Sequence, residues 1–352
     1  METQALPTLR PLRLGELLDQ SLRLYRRNFL TFIGIIALVY VPLTILQTAA
    51  TALMSSSALG AISSNPEAIF TSYAFWIGWL GTIALAFIQF VLVQGIATGA
   101  MTRAVADNYL GRQTSILDAY RGISGSWVSL LGALFFIIVL YIVALIWWIV
   151  VPCVGWFTGL GMMAFLLGAI NPLAPSVVVL ERQGAVESVR RAWSLARRQF
   201  WRVLGYVIVL YLFSLIVVAG PSMVINLVLQ GALASFRDPA LMAVVSTIVQ
   251  SLARLVVSLI YYPVQMTAFT LIYFDLRVRT EGFDLALQTI DPSSAADLNQ
   301  ALTPPPAPDE RFMTGQDLGN FAILTLAGVG IYILFFSVIM GVIFLLASSM
   351  PV

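Results

Sequence analysis

The chain has 352 residues, 59% hydrophobic and only 10% charged, against about 25% charged in ordinary soluble domains. A mean hydropathy of +0.91 with 12% aromatics is more apolar surface than a soluble fold of this length can hide, so apolar faces must meet lipid. The net charge of +2 is carried by arginine without lysine or histidine, and there is one cysteine, Cys153; this removes the commonest neutral-pH acid–base group and metal ligand, and excludes an intrachain disulfide or a cysteine metal cluster.

From the N-terminus, a polar Arg-bearing region runs to Asn28 and passes straight into an apolar stretch of span length, the pattern of an uncleaved anchor and not of a signal peptide. Stretches long enough to cross a bilayer, about 20 apolar residues each, are 29–54, 73–102, 127–151, 154–180, 203–230, 255–276 and 318–347. The expected fold is all-α, a polytopic transmembrane helical bundle of six core spans plus one C-terminal span.

Arginine fixes the expected orientation, because cytoplasmic loops retain positive charge. Arg10, Arg13, Arg23, Arg26 and Arg27 precede span 1, and Arg103, Arg112 and Arg121 follow span 2. Arg182, Arg190, Arg191, Arg197, Arg198 and Arg202 lie between spans 4 and 5, and Arg277, Arg279 and Arg311 follow span 6. The other side holds only Arg237, with Arg254 at a span end. The N-terminus is therefore expected in the cytoplasm and the C-terminus outside.

Two charged stretches share one arrangement, ELLDQSLRLYRRNF at 16–29 and ESVRRAWSLARRQF at 187–200. At helical spacing, Leu14, Leu17, Leu18, Leu22 and Tyr25 share a face opposite Glu16, Asp19, Arg23 and Arg26. Val186, Val189, Trp193 and Ala196 make the corresponding stripe, opposite Glu187, Arg190, Arg191 and Arg198. Asp19 with Arg23, and Glu187 with Arg191, are i,i+4 pairs worth about 0.3–0.5 kcal/mol each. A weaker copy, SILDAYRGISGSW, occupies 115–127 without the Arg doublet. The expected unit is a cytoplasmic amphipathic helix followed by a helical hairpin, beginning near 14, 115 and 184. Residues 1–280 form the six-span domain; 281–317, with seven acids, one Arg and the run PPPAP, is expected to be a disordered cytoplasmic linker. Residues 318–352 are then an appended seventh span.

Within the spans the polar residues are amides, among them Gln47, Gln89, Gln94, Asn171, Gln250 and Gln265, and their centres carry no Asp or Glu. Arg254 lies 23 residues before Arg277, about 34 Å of helix, which sets it at the outer interface, snorkelling in preference to forming an anion site. Residues 240–253 would then be an outer interfacial segment or a helical extension. Asn171, Pro172 and Pro175 predict a break in span 4, and glycines in GLGMMAFLLG at 159–168 predict close helix packing. Candidate lipid-headgroup and topology residues are Arg26, Arg27, Arg190, Arg191, Arg197 and Arg198. No phosphate-binding glycine loop or metal motif is present, so no catalytic, metal or cofactor-binding residue is named; nucleic acid is not an expected partner.

Together, RPLRLGELLDQSLRLYRRNF at 10–29, LAPSVVVLERQGAVESVRRAWSLARRQFWRVLG at 173–205 and YFDLRVRTEGFDL at 273–285 resemble a family of bacterial multi-pass membrane proteins labelled the glycerophosphoryl diester phosphodiesterase membrane domain. The resemblance covers residues 10–285 and implies a six-span inner-membrane body with a loose association with lipid metabolism; it carries over no catalytic residue. The expected function is that of a non-catalytic bacterial inner-membrane protein that scaffolds or regulates a membrane, envelope or lipid-related process, contacting anionic headgroups and a protein partner at the cytoplasmic face. The alternative is a transporter or lipid-handling protein with its site at Asn171–Pro175.

Overall fold

The computed structural model describes residues 10–64, 73–233, 239–288, 302–303 and 313–348, which are helical nearly throughout and contain no strand. Seven of the helical rods are long and apolar enough to cross a membrane, in the order expected. A short helix α1 (Leu14–Arg27) turns at Asn28 into α2 (Phe29–Ser64), the first rod. The second rod is α3 (Tyr73–Val91), a π-turn at Leu92–Ala97, and α4 (Thr98–Tyr109). Ser115 accepts a hydrogen bond from Asp118 N–H and so caps α5 (Ile116–Gly122), which leads into α6 (Trp127–Val150). A tight turn, with Cys153 at φ 61°, reverses the chain into α7 (Val154–Phe165), a π-turn at Leu166–Ile170, and α8 (Asn171–Glu181).

Next come α9 (Ala185–Arg198), then α10 (Phe200–Ser214), a π-turn at Leu215–Ala219, and α11 (Gly220–Leu233). The sixth rod, α12 (Pro239–Glu281), is one continuous helix, about 64 Å long by its rise per residue. Residues 240–253 are therefore the helical extension. A short α13 (Phe283–Gln288) follows, and α14 (Gly315–Ser348) is the seventh rod.

The helix α1 matches α9: each has 14 residues, and each ends at a non-helical amide residue, Asn28 at φ −118°, ψ 27° and Gln199 at φ −124°, ψ 39°. These two kinks tip the chain from an exposed-faced helix into an apolar rod. Leu17, Ser21 and Tyr25 of α1 are buried while Asp19, Arg23 and Arg26 are exposed. In α9 the buried face differs from the expected stripe: Val186 is exposed, and Arg191 is buried beside Val189, Ala192 and Trp193. Arg191 turns inward because two carboxylates wait there, so the expected Glu187–Arg191 pair gives way to bonds with other helices.

Span 4 is the central rod. Its α7 packs on α6 and α14, and its α8 on α4, α9 and α12. Small residues make this possible, since lipid offers no hydrophobic drive for helices to associate. A Cβ on Gly161 would collide with the Phe321 carbonyl of α14, and one on Gly159 would lie 2.6 Å from Trp148 Cβ of α6. Gly161 N–H also donates to Thr325 Oγ1 at 2.8 Å. The seventh span is accordingly docked and not appended: Phe321 is buried against Phe165, Trp193 and Phe200, with ring centroids 5.7–5.9 Å away.

The expected break at Asn171, Pro172 and Pro175 is absent. The prolines fall in the first turns of α8, and Asn171 N–H bonds the Leu166 carbonyl five residues back. That π-register shift absorbs the donors proline lacks without parting the rod. The same device precedes Pro221, where Gly220 N–H reaches Leu215. Most of the expected linker lies outside the described residues; of the part described, α13 is helical, and Leu302 is buried.

Candidate functional site

Charge buried at the arginine-rich end forms two lattices, both anchored on the last turns of α12. The first joins three helices. Glu181 closes α8, Arg191 faces inward from α9, and Tyr273, Arg277 and Glu281 lie along one side of α12. Glu181 accepts from Tyr273 OH at 2.8 Å and pairs with Arg191 at 3.2 Å. Arg191 also pairs with Glu281, and Glu281 with Arg277 at 3.0 Å. Arg277 donates to the Leu302 carbonyl at 3.0 Å and lies over the Phe283 ring at 4.5 Å, tying in the chain beyond α12. Two guanidinium groups and two carboxylates thus alternate in a ring with no net charge.

The second lattice holds the N-terminal segment. Asp275, wholly buried, accepts from Leu12 N–H at 2.8 Å and from Arg279 Nε at 3.0 Å, with Arg202 of α10 at 3.6 Å. The Leu12 carbonyl takes bonds from Arg202 at 3.0 Å and Arg279 at 2.9 Å, and Tyr206 OH stands 3.2 Å from it. Both backbone groups of Leu12 are therefore satisfied by side chains from helices 190 and more residues away. Smaller ties add to this frame: Arg103 with Asp107 at 2.9 Å, and Arg197 with Asp317 at 3.4 Å, which links α9 to the foot of α14. On the surface, Glu16 accepts from Arg13 N–H, which, with the charges of Arg10 and Arg13, holds its carboxyl below its ordinary value.

The six sequence-predicted arginines separate into two groups. Arg26, Arg27, Arg190 and Arg198 are exposed; Arg191 is part of the buried ring, and Arg197 is half-buried on Asp317. Asn171 and Pro175 line, with Gln94, Leu130, Leu134 and Ala174, a cavity of about 10 Å³, room for one water and not for a substrate. Asp275 with Arg279, and Arg277 with Glu281, form i,i+4 pairs along α12, and each of the four groups also bonds a residue outside α12. Glu181, Arg202, Tyr206 and Tyr273 were missed. The available signal was Glu181, a lone carboxylate ending an apolar run.

Chemically, these lattices hold helix ends. Each carboxylate faces guanidinium groups that are themselves hydrogen-bonded, the condition under which buried charge is tolerated. Among the described residues no group of three or more His, Cys, Asp or Glu could hold a metal ion.

Seven apolar rods latched at one end by buried ion pairs define a multi-pass helical membrane protein. The family described as Domain of unknown function (DUF7847) matches residues 12–276, and the chain belongs to it. That stretch takes in both sides of the Leu12–Asp275 clasp and leaves α14 outside. No curated protein and no solved structure matches the chain.

Proposed function

We propose that the chain is a non-catalytic module of a bacterial inner membrane, with its N-terminus and arginine-rich end in the cytoplasm and its C-terminus on the far side. Three units of short amphipathic helix and hairpin build the body. It gathers anionic phospholipid at the cytoplasmic surface and offers that surface to a partner that acts in a membrane, envelope or lipid-related process. The observation that supports this most is the division among the arginines. Those inside the lattices are used up by carboxylates, whereas Arg26, Arg27 and Arg190 are exposed, each able to contribute about 1 kcal/mol toward an anionic leaflet. The likeness of 10–29, 173–205 and 273–285 to a lipid-associated membrane family favours the same reading.

The test is lipid enrichment in nanodiscs of mixed phosphatidylglycerol and phosphatidylcholine, read by native mass spectrometry. The parent protein should retain phosphatidylglycerol, and Arg26→Gln, Arg27→Gln and Arg190→Gln combined should retain less of it while melting normally. Turnover of a lipid or phosphodiester by the purified protein, abolished by one Arg or Asp substitution, would overturn the non-catalytic reading.

A further inference from the structure

Far from the arginine-rich end, α2, α3 and α12 separate around a cavity of about 290 Å³, at the lower edge of small-molecule sites. Its lining has an unusual composition for this chain. From α2 come Tyr40, Thr44, Gln47, Thr48 and Thr51, along one helical face. Opposite them stand Gln89 of α3 and Thr247, Gln250, Ser251 and Arg254 of α12. Every described lining residue carries a polar group, and all but Tyr40 fall outside the 59% of the chain counted as hydrophobic. Polar groups in a span are costly unless they meet partners or line a wet cavity.

The depth follows from helix rise. Tyr40 is 11 residues past Phe29, about 16 Å into the rod, and Arg254 is about 34 Å from Arg277. A hydrocarbon core is about 30 Å thick, so the cavity descends from the far headgroup level to mid-membrane. Its floor is the edge-on contact of Tyr40 with Tyr262, ring centroids 5.6 Å apart. Below that, α12 from Met266 to Leu276 is buried in the core. The cavity is a vestibule whose described lining ends at Tyr40.

Donors and acceptors are also sorted. The hydroxyls of Thr44, Thr48 and Thr51 give their protons to carbonyls of their own helix at 2.7–2.8 Å, as does Thr247, so toward the cavity they offer lone pairs. The donors there are the glutamine amides, the Tyr40 and Ser251 hydroxyls and the Arg254 guanidinium. Among the described residues the lining contains no Asp or Glu, and no carboxylate pairs with Arg254.

We propose that this vestibule binds a phosphate group at Arg254, with the polar remainder of the ligand on the Thr and Gln wall. A guanidinium matches a phosphate in forked geometry. With no carboxylate among the described lining residues, headgroups that also carry an ammonium are disfavoured. The phosphate belongs either to an anionic phospholipid entering from the far leaflet or to a soluble phosphate ester.

The experiment uses the full chain in nanodiscs, with two arms. In one, phosphatidylcholine discs are titrated with inorganic phosphate and with glycerol phosphate; in the other, phosphatidylglycerol is doped in and retained lipid is counted by native mass spectrometry. Arg254→Gln should weaken binding roughly 10- to 100-fold in one arm, and Gln89→Leu, on the facing wall, should weaken the same arm. The arm affected identifies the source. The Arg26, Arg27 and Arg190 variants leave this loss unchanged, which separates it from the cytoplasmic surface. Binding indifferent in both arms to Arg254→Gln and to Gln89→Leu, with normal melting, overturns the proposal.

Discussion

Replacing Arg191 with Gln should be far more damaging than the same change at its neighbour Arg190. Arg191 is 8% exposed and faces Glu181 and Glu281, which are 0% and 6% exposed. After Arg191→Gln, Arg277 alone would face both carboxylates, one at 3.0 Å and the other at 3.9 Å. Removing one partner from a buried ionic cluster costs about 3–5 kcal/mol, because a charge is left uncompensated away from water. Arg190 is exposed, so Arg190→Gln should stay within about 0.5 kcal/mol of the parent. Adding Glu281→Gln to Arg191→Gln restores one guanidinium to one carboxylate. The double variant should therefore be more stable than the sum of the single effects by about 1 kcal/mol or more. Reversible unfolding in mixed micelles with increasing sodium dodecyl sulfate, followed by tryptophan fluorescence, measures all five proteins: the parent, the Arg190, Arg191 and Glu281 single variants, and the double. Equal stabilities for the Arg190 and Arg191 variants, or strict additivity in the double, would show that the ring does not latch the helices.

Two further outcomes follow from packing and from topology. Gly161→Leu should lift α14 from α7, because any side chain there meets the Phe321 carbonyl; in a Cys153→Ser background, cysteines at Ala164 and Leu324, which line one gap between these helices, should then lose bismaleimide cross-linking that the parent shows. The natural Cys153 is exposed in the turn between α6 and α7, so an impermeant maleimide should label it in spheroplasts, whereas Ser115→Cys in a Cys153→Ser background should label only after permeabilisation; the reverse pattern would invert the orientation.

How much of this was legible in the sequence depended on whether the deciding interaction was local. The rods were legible, since a continuous apolar run commits its backbone to helix in lipid whatever its neighbours do. The likeness of 16–29 to 187–200 was legible because the two stretches repeat one pattern, but the kinks at Asn28 and Gln199 were not, since each stretch runs without a breaker into its apolar rod. Arg191 was misplaced for the opposite reason. Its own helix makes it look like a surface residue, and the carboxylates that draw it inward come from positions 181 and 281. Asn171–Pro175 misled in another way: proline predicts a lost hydrogen bond, but the sequence does not say that a one-residue register shift at Leu166–Ile170 will absorb it. The docking of α14 was hidden as well. Gly161 announced a close approach, yet nothing local named Phe321 as the surface approaching.

The vestibule was within reach of the sequence but required pairing α2 with α12. On α2 alone, Thr44, Gln47, Thr48 and Thr51 are ordinary span residues whose hydroxyls bond back to their own helix. Arg254 alone is a snorkelling arginine. Only when α12 packs along α2 do they face one space. The contrast with the other end then acquires a physical reason. In lipid, helices close on one another through small side chains and polar bonds, and the arginine-rich half supplies both, with Ala97, Ala100 and Ala104 of the second rod fully buried and the ionic lattices beyond. In the far half, α11 and the outer part of α12 carry exposed Leu, Met and Val instead, which lipid solvates as well as a neighbouring helix would. Close approaches through small residues persist there, as where Gly78 of α3 meets Met54 of α2, but around the cavity α2, α3 and α12 present longer polar side chains and stand apart. The cavity lining shares no residue with the fully buried core, so a ligand can enter it without repacking that core.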